Sequence, residues 1–392
     1  MVHWGIRVVP GRIAACGLSI LISAGASFSA FGPASVVALT LELSSSPTSL
    51  KLMTFNIHGW RDSTHQCNFD RIATVVREVN PDILCLNEVL HPFATPSGSD
   101  KAANQQVIDD YYKQVQQNQG RGKTIHPSFV QSQEDSFLSR LSKATNLPNV
   151  QFVGATDNSF FGKGIWFGNA ILSTHPIDDF LPVPLPIEPG DIDLGNQERD
   201  FVDPRSFGVA KVKFDDNQHC IGIAFGHLDH KSEELREKQI LKVLEDTRDV
   251  LSDVPHLICG DFNAFQKSDC DPKGWKAILN LFQTRGWPTP YERSLALDAL
   301  KDAGYLDSFY ESYGQQDGTA KQVPDATSWT TLPLMRIDHI LVKNSVAQSP
   351  SSLPAILPKE HYQIDTDASD HFPVVLEALL QQPGAEILRQ AD

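Results

Sequence analysis

Nine side chains of this sequence are of the types that phosphoester chemistry uses, and they recur at the ends of apolar runs. The clearest run is His256-Leu257-Ile258-Cys259-Gly260-Asp261-Phe262-Asn263, an apolar strand that stops at a glycine and then presents an acid and an amide two positions apart. Side chains at i and i+2 of extended backbone point the same way, so Asp261 and Asn263 can reach one small volume past the strand end. A carboxylate there can activate a water, and an amide can hold that water or a phosphoryl oxygen. A plain turn would also suit Gly-Asp-Phe-Asn, so this run gains its weight from the others.

Residues 50–59 read as a strand ending on Asn56, and 82–89 as an apolar run ending on Glu88. Residues 221–230 end on His227-Leu228-Asp229-His230, a polar cluster that apolar strand composition does not explain. Asp338 sits in the run Arg336-Ile337-Asp338-His339-Ile340-Leu341-Val342, where an unpaired charge would cost several kcal/mol, so a partner is required. Asp370 and His371 precede a last strand. Polar groups at strand ends are where α/β folds place their chemistry.

In this order, Asn56, Glu88, His227, Asp261 with Asn263, Asp338, and Asp370 with His371 resemble the endonuclease/exonuclease/phosphatase superfamily, which includes pancreatic deoxyribonuclease, abasic-site endonucleases, inositol polyphosphate phosphatases and neutral sphingomyelinases. The resemblance runs from about residue 50 to 380. It implies an α/β four-layer sandwich, two mixed β-sheets packed face to face with helices outside. It implies a metal-dependent phosphoester hydrolase using Mg²⁺, or Mn²⁺ in its place, with Glu88 as principal ligand and Asp370 and Asn56 at the same site. Asp261 would orient or deprotonate the attacking water and Asn263 would hold the phosphate or that water. His371 would contact the phosphoryl group with its tautomer fixed by Asp338, and His227 would be a second phosphate-facing histidine and candidate general acid. Arg205, just before a strand, is carried over as a phosphate contact, with Arg199 competing for the role and an ordinary solvated arginine as the alternative. Asp229 and His230 stand behind these as supporting groups. One departure is Asn87, where the family commonly has Gln before the metal-binding Glu.

The elements that must position these groups are legible in outline. Apolar Ile72, Val75, Val76 and Val79 predict a helix over 69–79, and similar spacing predicts helices over 233–251 and 294–303. Residues 92–149, with a helix at 109–117 and a loop at 119–123, and residues 265–333, rich in aromatics such as Trp275, Trp287, Tyr305 and Trp329, read as insertions on this frame. Most of those aromatics are expected in the core. Cys85, Cys220 and Cys259 fall in or beside apolar strands, and no spacing of the six cysteines matches a zinc site or a disulfide framework.

A hydrophobic content of 41% and a charged content of 21% are globular values. The formal net charge of −15 and the acidic stretch 188–203 count against a broad nuclease, because nucleic-acid binding rests on a basic stripe. They favour a small-molecule, sugar-phosphate or lipid-headgroup phosphoester. A monomer is expected, with residues 46–382 as the catalytic domain and 383–392 as a tail. Residues 1–45 carry Arg7 and Arg12 before an uncharged run to Leu41, with Ala24-Gly25-Ala26 as a cleavage-like site. They read as a signal peptide or membrane anchor, then as a transit segment. Two further readings stay open: a non-catalytic relative that binds a phosphorylated ligand, and a membrane-tethered lipid phosphodiesterase.

Overall fold

A computed structural model describes residues 48–62, 66–92, 136–157, 165–187, 204–214, 219–313, 335–344 and 355–381. The expected helix at 109–117, the loop at 119–123, Arg199 with its acidic stretch, Trp329 and the amino-terminal segment lie outside these residues. In chain order the elements are β1 (Thr48–Asn56), α1 (Phe69–Val79), β2 (Ile83–Pro92), α2 (Phe137–Thr145), β3 (Asn149–Asp157), β4 (Ile165–Ser173), β5 (Ile177–Pro184), β6 (Ser206–Phe214), β7 (His219–His227), α3 (Glu233–Thr247), β8 (His256–Asp261), α4 (Pro272–Arg285), α5 (Leu295–Asp302), β9 (Leu306–Asp307), α6 (Ser308–Tyr313), β10 (Asp338–Lys343), β11 (Ala355–Gln363) and β12 (Val374–Gln381).

The strands form two six-stranded sheets, ordered β11-β12-β1-β2-β4-β3 and β5-β6-β7-β8-β10-β9. Each is mixed in the same way: one central parallel pair, β1 with β2 and β7 with β8, is flanked by antiparallel neighbours. Strand alternation explains the layering. Leu50 and Leu52 of β1, Cys85 of β2, Ile223 and Phe225 of β7, Cys259 of β8 and Ile340 of β10 pack into one core between the sheets. The alternate residues face outward. Met53, Phe55, Leu84 and Leu86 meet α1 and α2, whereas Ala224, Ile258 and Leu341 meet α3 and α5. The four-layer sandwich implied by the sequence is therefore present.

Local chemistry sets the helix ends. The Ser136, Ser232 and Ser294 side chains accept the backbone N–H three residues on, capping α2, α3 and α5. Asn80 and Asn146 close α1 and α2 in the left-handed region. Helix α1 spans the residues its apolar spacing predicts. Helix α3 stops at Thr247, short of 251, and turns occupy the remainder, although Val250 and Leu251 still reach the core. The insertion reading of 265–333 is corrected where residues are described. Helix α5 buries Ala296, Leu297 and Leu300 against the second sheet, β9 pairs with β10, and Trp275, Ile278 and Phe282 of α4 form a cluster with Phe265 and Ile337. Helix α2, within the other expected insertion, is framework too, because Phe137, Leu138 and Leu141 pack against α1. Trp275 and Tyr305 are core as expected, whereas Tyr291 is 44% exposed.

The central parallel pair of the second sheet depends on one glycine. Gly260 pairs with Gly226 across β7 and β8, has φ +137°, and a Cβ there would lie 1.9 Å from the Gly226 carbonyl oxygen. Backbone cannot yield as a side chain can, so Gly260→Ala is expected to cost about 3 kcal/mol or more. The shift of the denaturant midpoint measures it; a change below about 1 kcal/mol would mean that the strands can part here at little cost.

Candidate active site

The alternation that fills the core also delivers the polar groups. Continuing the inward-facing series leads from Leu50 and Leu52 to Asn56 on β1, from Cys85 to Asn87 on β2, and from Phe225 to His227 on β7. The same series leads from Cys259 to Asp261 on β8 and from Ile340 back to Asp338 on β10. His227, Asp261 and Asp338 are register partners in one row of the second sheet; Asn56 and Asn87 are partners in the first. The two rows meet at the rim of the sandwich.

Side-chain hydrogen bonds tie the sheets together there. Asn56 Nδ2 donates to Asp261 Oδ2 (2.9 Å) and to Glu88 Oε1 (3.1 Å). Asn87 Nδ2 donates to the Gly226 carbonyl (2.8 Å), while Asn87 Oδ1 accepts from the Asp261 N–H (3.0 Å). Asn87 also donates to Asn169 Oδ1 (2.9 Å), and Asn169 in turn donates to the Ser206 carbonyl (2.9 Å). The residue that departs from the family pattern thus holds the backbone of the central acid. Asn169 is a buried clasp that sequence reading missed; its only signal was a polar residue in the apolar run Ile165–Ser173.

Glu88 lies off the inward parity. A bulge between Leu86 and Val89 and a left-handed backbone at Glu88 (φ 57°) bring its half-buried carboxylate to Asn56. Strain of this kind is concentrated at the site. Of the six non-glycine residues with positive φ among the described residues, Asn80 and Asn146 close helices. The other four are Glu88, Asn263 (48°), His58 (50°) and Trp60 (63°). His58 was not singled out from the sequence; its N–H donates to Asn56 Oδ1 (3.0 Å) and its Nδ1 lies 3.8 Å from Asp370.

Asp261 is the hub. Its Oδ2 lies 3.3 Å from His227 Nε2 and 3.7 Å from His371 Nε2, and its Oδ1 accepts the Asn263 N–H (2.9 Å). Burial, followed by the neighbouring Asp338, raises its pKa to about 7 despite the opposing pull of His371. His371 Nδ1 is 2.8 Å from Asp338 Oδ2. Burial works against a charge on His371, but Asp338 and then Asp261 outweigh it and hold the imidazolium well above the usual histidine range. His227 goes the other way: burial first, and then Arg205, keep it neutral. The charged histidine of the pair is therefore His371, and the neutral one is His227.

Arg205, buried before β6, meets His227 Nδ1 at 3.0 Å. A guanidinium can only donate, so Nδ1 accepts and the neutral ring carries its proton on Nε2. Asn263 Nδ2 lies 2.8 Å from that nitrogen and donates to the Leu228 carbonyl (3.2 Å), while the Nε2–H is left to Asp261 Oδ2 (3.3 Å).

Donor atoms of Glu88, His227 and Asp261 converge within 4.8 Å, as do those of Asp261, Asp338 and His371. The second group is a hydrogen-bonded relay, because Asp338 and the imidazole proton occupy each other. In the first, a protonated Nε2 cannot ligate, which leaves carboxylates. Glu88 has no cationic partner among the described residues and stands beside Asp261, so a hard divalent cation with a preference for carboxylate and amide oxygens fits this donor set. Asp370 does not join either group; it is linked to Asn56 through Ser369, whose hydroxyl donates to the Asn56 carbonyl (2.8 Å) and lies 3.3 Å from Asp370 Oδ1. The site thus gathers Asn56, Glu88, Arg205, His227, Asp261, Asn263, Asp338 and His371 by direct contact, with Asp370 at its edge.

The profile of the Endonuclease/Exonuclease/phosphatase family matches residues 53–371. The uncharacterized protein YbhP of Escherichia coli is 22% identical over 307 residues, covering 78% of this chain and 89% of its own. The crystal structure of an endonuclease/exonuclease/phosphatase from Beutenbergia cavernae superposes with a TM-score of 0.52 at 21% identity, covering 86% of this chain and 72% of that one. One from Bacteroides vulgatus gives 0.50 at 17%, covering 85% and 100%. The chain belongs to the endonuclease/exonuclease/phosphatase family, whose members are generally phosphoester hydrolases and usually depend on a divalent metal.

Proposed function

We propose that this family member hydrolyses a phosphoester with the help of a divalent cation, Mg²⁺ or Mn²⁺, and that Asp261 is its general base. The observation that carries this reading is the position and ionisation of Asp261. It is a buried carboxylate with a pKa of about 7, lying between a neutral histidine, a charged histidine and an amide. A base poised near the working pH combines availability with proton affinity.

In this reading the substrate phosphoryl group enters between His227, Asn263 and His371. Asp261 takes the proton of the attacking water as its oxygen bonds to phosphorus, while the P–O bond to the ester's leaving group breaks and the departing oxygen takes a proton from solvent. The His371 imidazolium neutralises charge that grows on the phosphoryl oxygens, and the bond to Asp338 fixes which nitrogen faces the substrate. The Nε2–H of His227 donates a hydrogen bond without carrying a charge. Glu88, with Asn56 and Asp370 alongside, would hold the cation, which supplies charge neutralisation at the phosphoryl oxygens.

The test is turnover by the purified full chain on plasmid DNA, single-stranded RNA, inositol polyphosphates, sphingomyelin and a chromogenic phosphodiester. Chelation is expected to reduce hydrolysis of the preferred substrate by about 10²-fold or more, with recovery on adding Mg²⁺ or Mn²⁺. Turnover untouched by chelation would remove the metal from the mechanism. A folded protein that binds phosphate and hydrolyses nothing would instead be a binding relative.

A further inference from the structure

Arg205 does more than face His227. Its other terminal nitrogen, Nη2, lies 3.3 Å from Nδ1 of His230. One arginine therefore donates to two imidazoles. Both must accept at Nδ1, so both are neutral and carry their proton on Nε2. Burial and then the Arg205 charge also lower the pKa of His230, to about 3, so this state holds across the working pH range. No acid pairs with Arg205 among the described residues, so none of these competes for its donors.

The two rings are set a guanidinium's width apart but serve different places. The Nε2 of His227 faces Asp261 and the phosphoryl centre. His230 is only partly buried, its Nε2 has no partner among the described residues, and its ring meets Trp287 edge-on, with centroids 5.2 Å apart and planes at 74°. Trp287 is half-buried, is held from behind by Phe282 (5.3 Å) and has Arg285 over its ring (4.8 Å). Beside the phosphoryl centre there is thus a fixed neutral donor against an indole wall.

We propose that His230 and Trp287 form a second subsite that binds a hydroxylated ring attached to the phosphate, with His230 as the donor to a ring oxygen or hydroxyl. This rests on the phosphoester reading of the adjacent centre. A neutral donor suits an uncharged oxygen, and an indole suits the C–H groups of a saturated ring, which pack on its π-surface. A polynucleotide is less well served, because the chain, at −15, lacks the charge for one.

The test uses the full chain carrying Asp261→Asn, so that no turnover intervenes, and calorimetric Kd values for a hexose 6-phosphate and for inorganic phosphate. The hexose phosphate is expected to bind about 10-fold or more tightly than phosphate. That ratio should fall towards one on adding His230→Ala or Trp287→Ala, and should recover in part with His230→Gln, which restores a donor. A ratio near one in the parent, a ratio that survives both alanine variants, or a nucleoside monophosphate that binds more tightly than the hexose phosphate would each overturn the subsite. If the ratio behaves as expected but the native chain hydrolyses nothing with Mg²⁺, the subsite stands and the hydrolase reading fails.

Discussion

Replacing Asp261 with Asn is expected to lower turnover by about 10³-fold and, at the same time, to make the protein more stable above neutral pH. The loss of rate follows because the amide cannot accept the water's proton, while it keeps the shape and, through its one oxygen, one of the two bonds from Asn56 and Asn263. The gain in stability follows from linkage. The folded-state pKa of about 7 lies above the ordinary 3.8, so between these values the folded chain holds a proton that the unfolded chain has lost. Stability therefore falls as pH rises from about 4 to about 7, then stays low. The shift sets an upper bound of about 4 kcal/mol on that loss. Asn does not titrate, so the melting temperatures of the two proteins should agree near pH 4 and separate by a few degrees, with the variant higher, by pH 8. The comparison belongs in chelator, since a cation beside Glu88 would favour the ionised acid and shrink the gap. The wild-type rate should climb with pH through the same ionisation. Wild-type turnover in the variant would remove Asp261 from the role of base; equal melting temperatures at pH 8 would mean that the site relieves the buried charge in another way.

This trade of stability for chemistry explains why some of the site could be read from sequence and some could not. Asn56, His227, Asp261 and Asp338 lie on the inward parity of their strands, so alternation alone aims them at one layer and an unpaired acid in an apolar run announces a partner. The buried Cys85 and Cys259 follow the same rule two residues earlier. Glu88 breaks the rule. Its place depends on a bulge and a left-handed backbone that local sequence does not signal, and only the family pattern pointed to it. Asn169, His58 and the Arg205–His230 contact were illegible for a different reason: each depends on two distant segments meeting, and no local pattern announces the meeting. The same holds for α2, whose helical period is short; the spacing over 294–303 predicts α5 itself, but not the packing against the second sheet that makes it framework.

The second large effect is expected from Asp338→Asn. Burial alone would neutralise His371, and Asp338 is the main group that reverses this, through a bond of 2.8 Å in a site where Asp338 itself is 1% exposed. The amide keeps the volume and can still meet Nδ1, but it neither supplies the charge nor dictates which nitrogen bears the proton. Turnover should drop by about 10²- to 10⁴-fold, chiefly in kcat, because a neutral ring cannot offset charge that develops on the phosphoryl oxygens. The raised pKa of His371 also has a stability signature of the same sign as that of Asp261, displaced to higher pH. A group whose folded pKa is raised stabilises the fold fully below its unfolded value, near 6.5, and that contribution is lost as pH rises through the folded value. The melting temperature of the wild type should therefore exceed that of the variant most clearly at pH 6, and the difference should narrow in alkali. Nitrogen chemical shifts of the His371 ring provide the direct reading: imidazolium well above pH 6.5 in the wild type and neutral imidazole at pH 7 in Asp338→Asn. A ring that stays charged in the variant would shift the burden onto Asp261, and its loss of rate would then have to come from orientation alone.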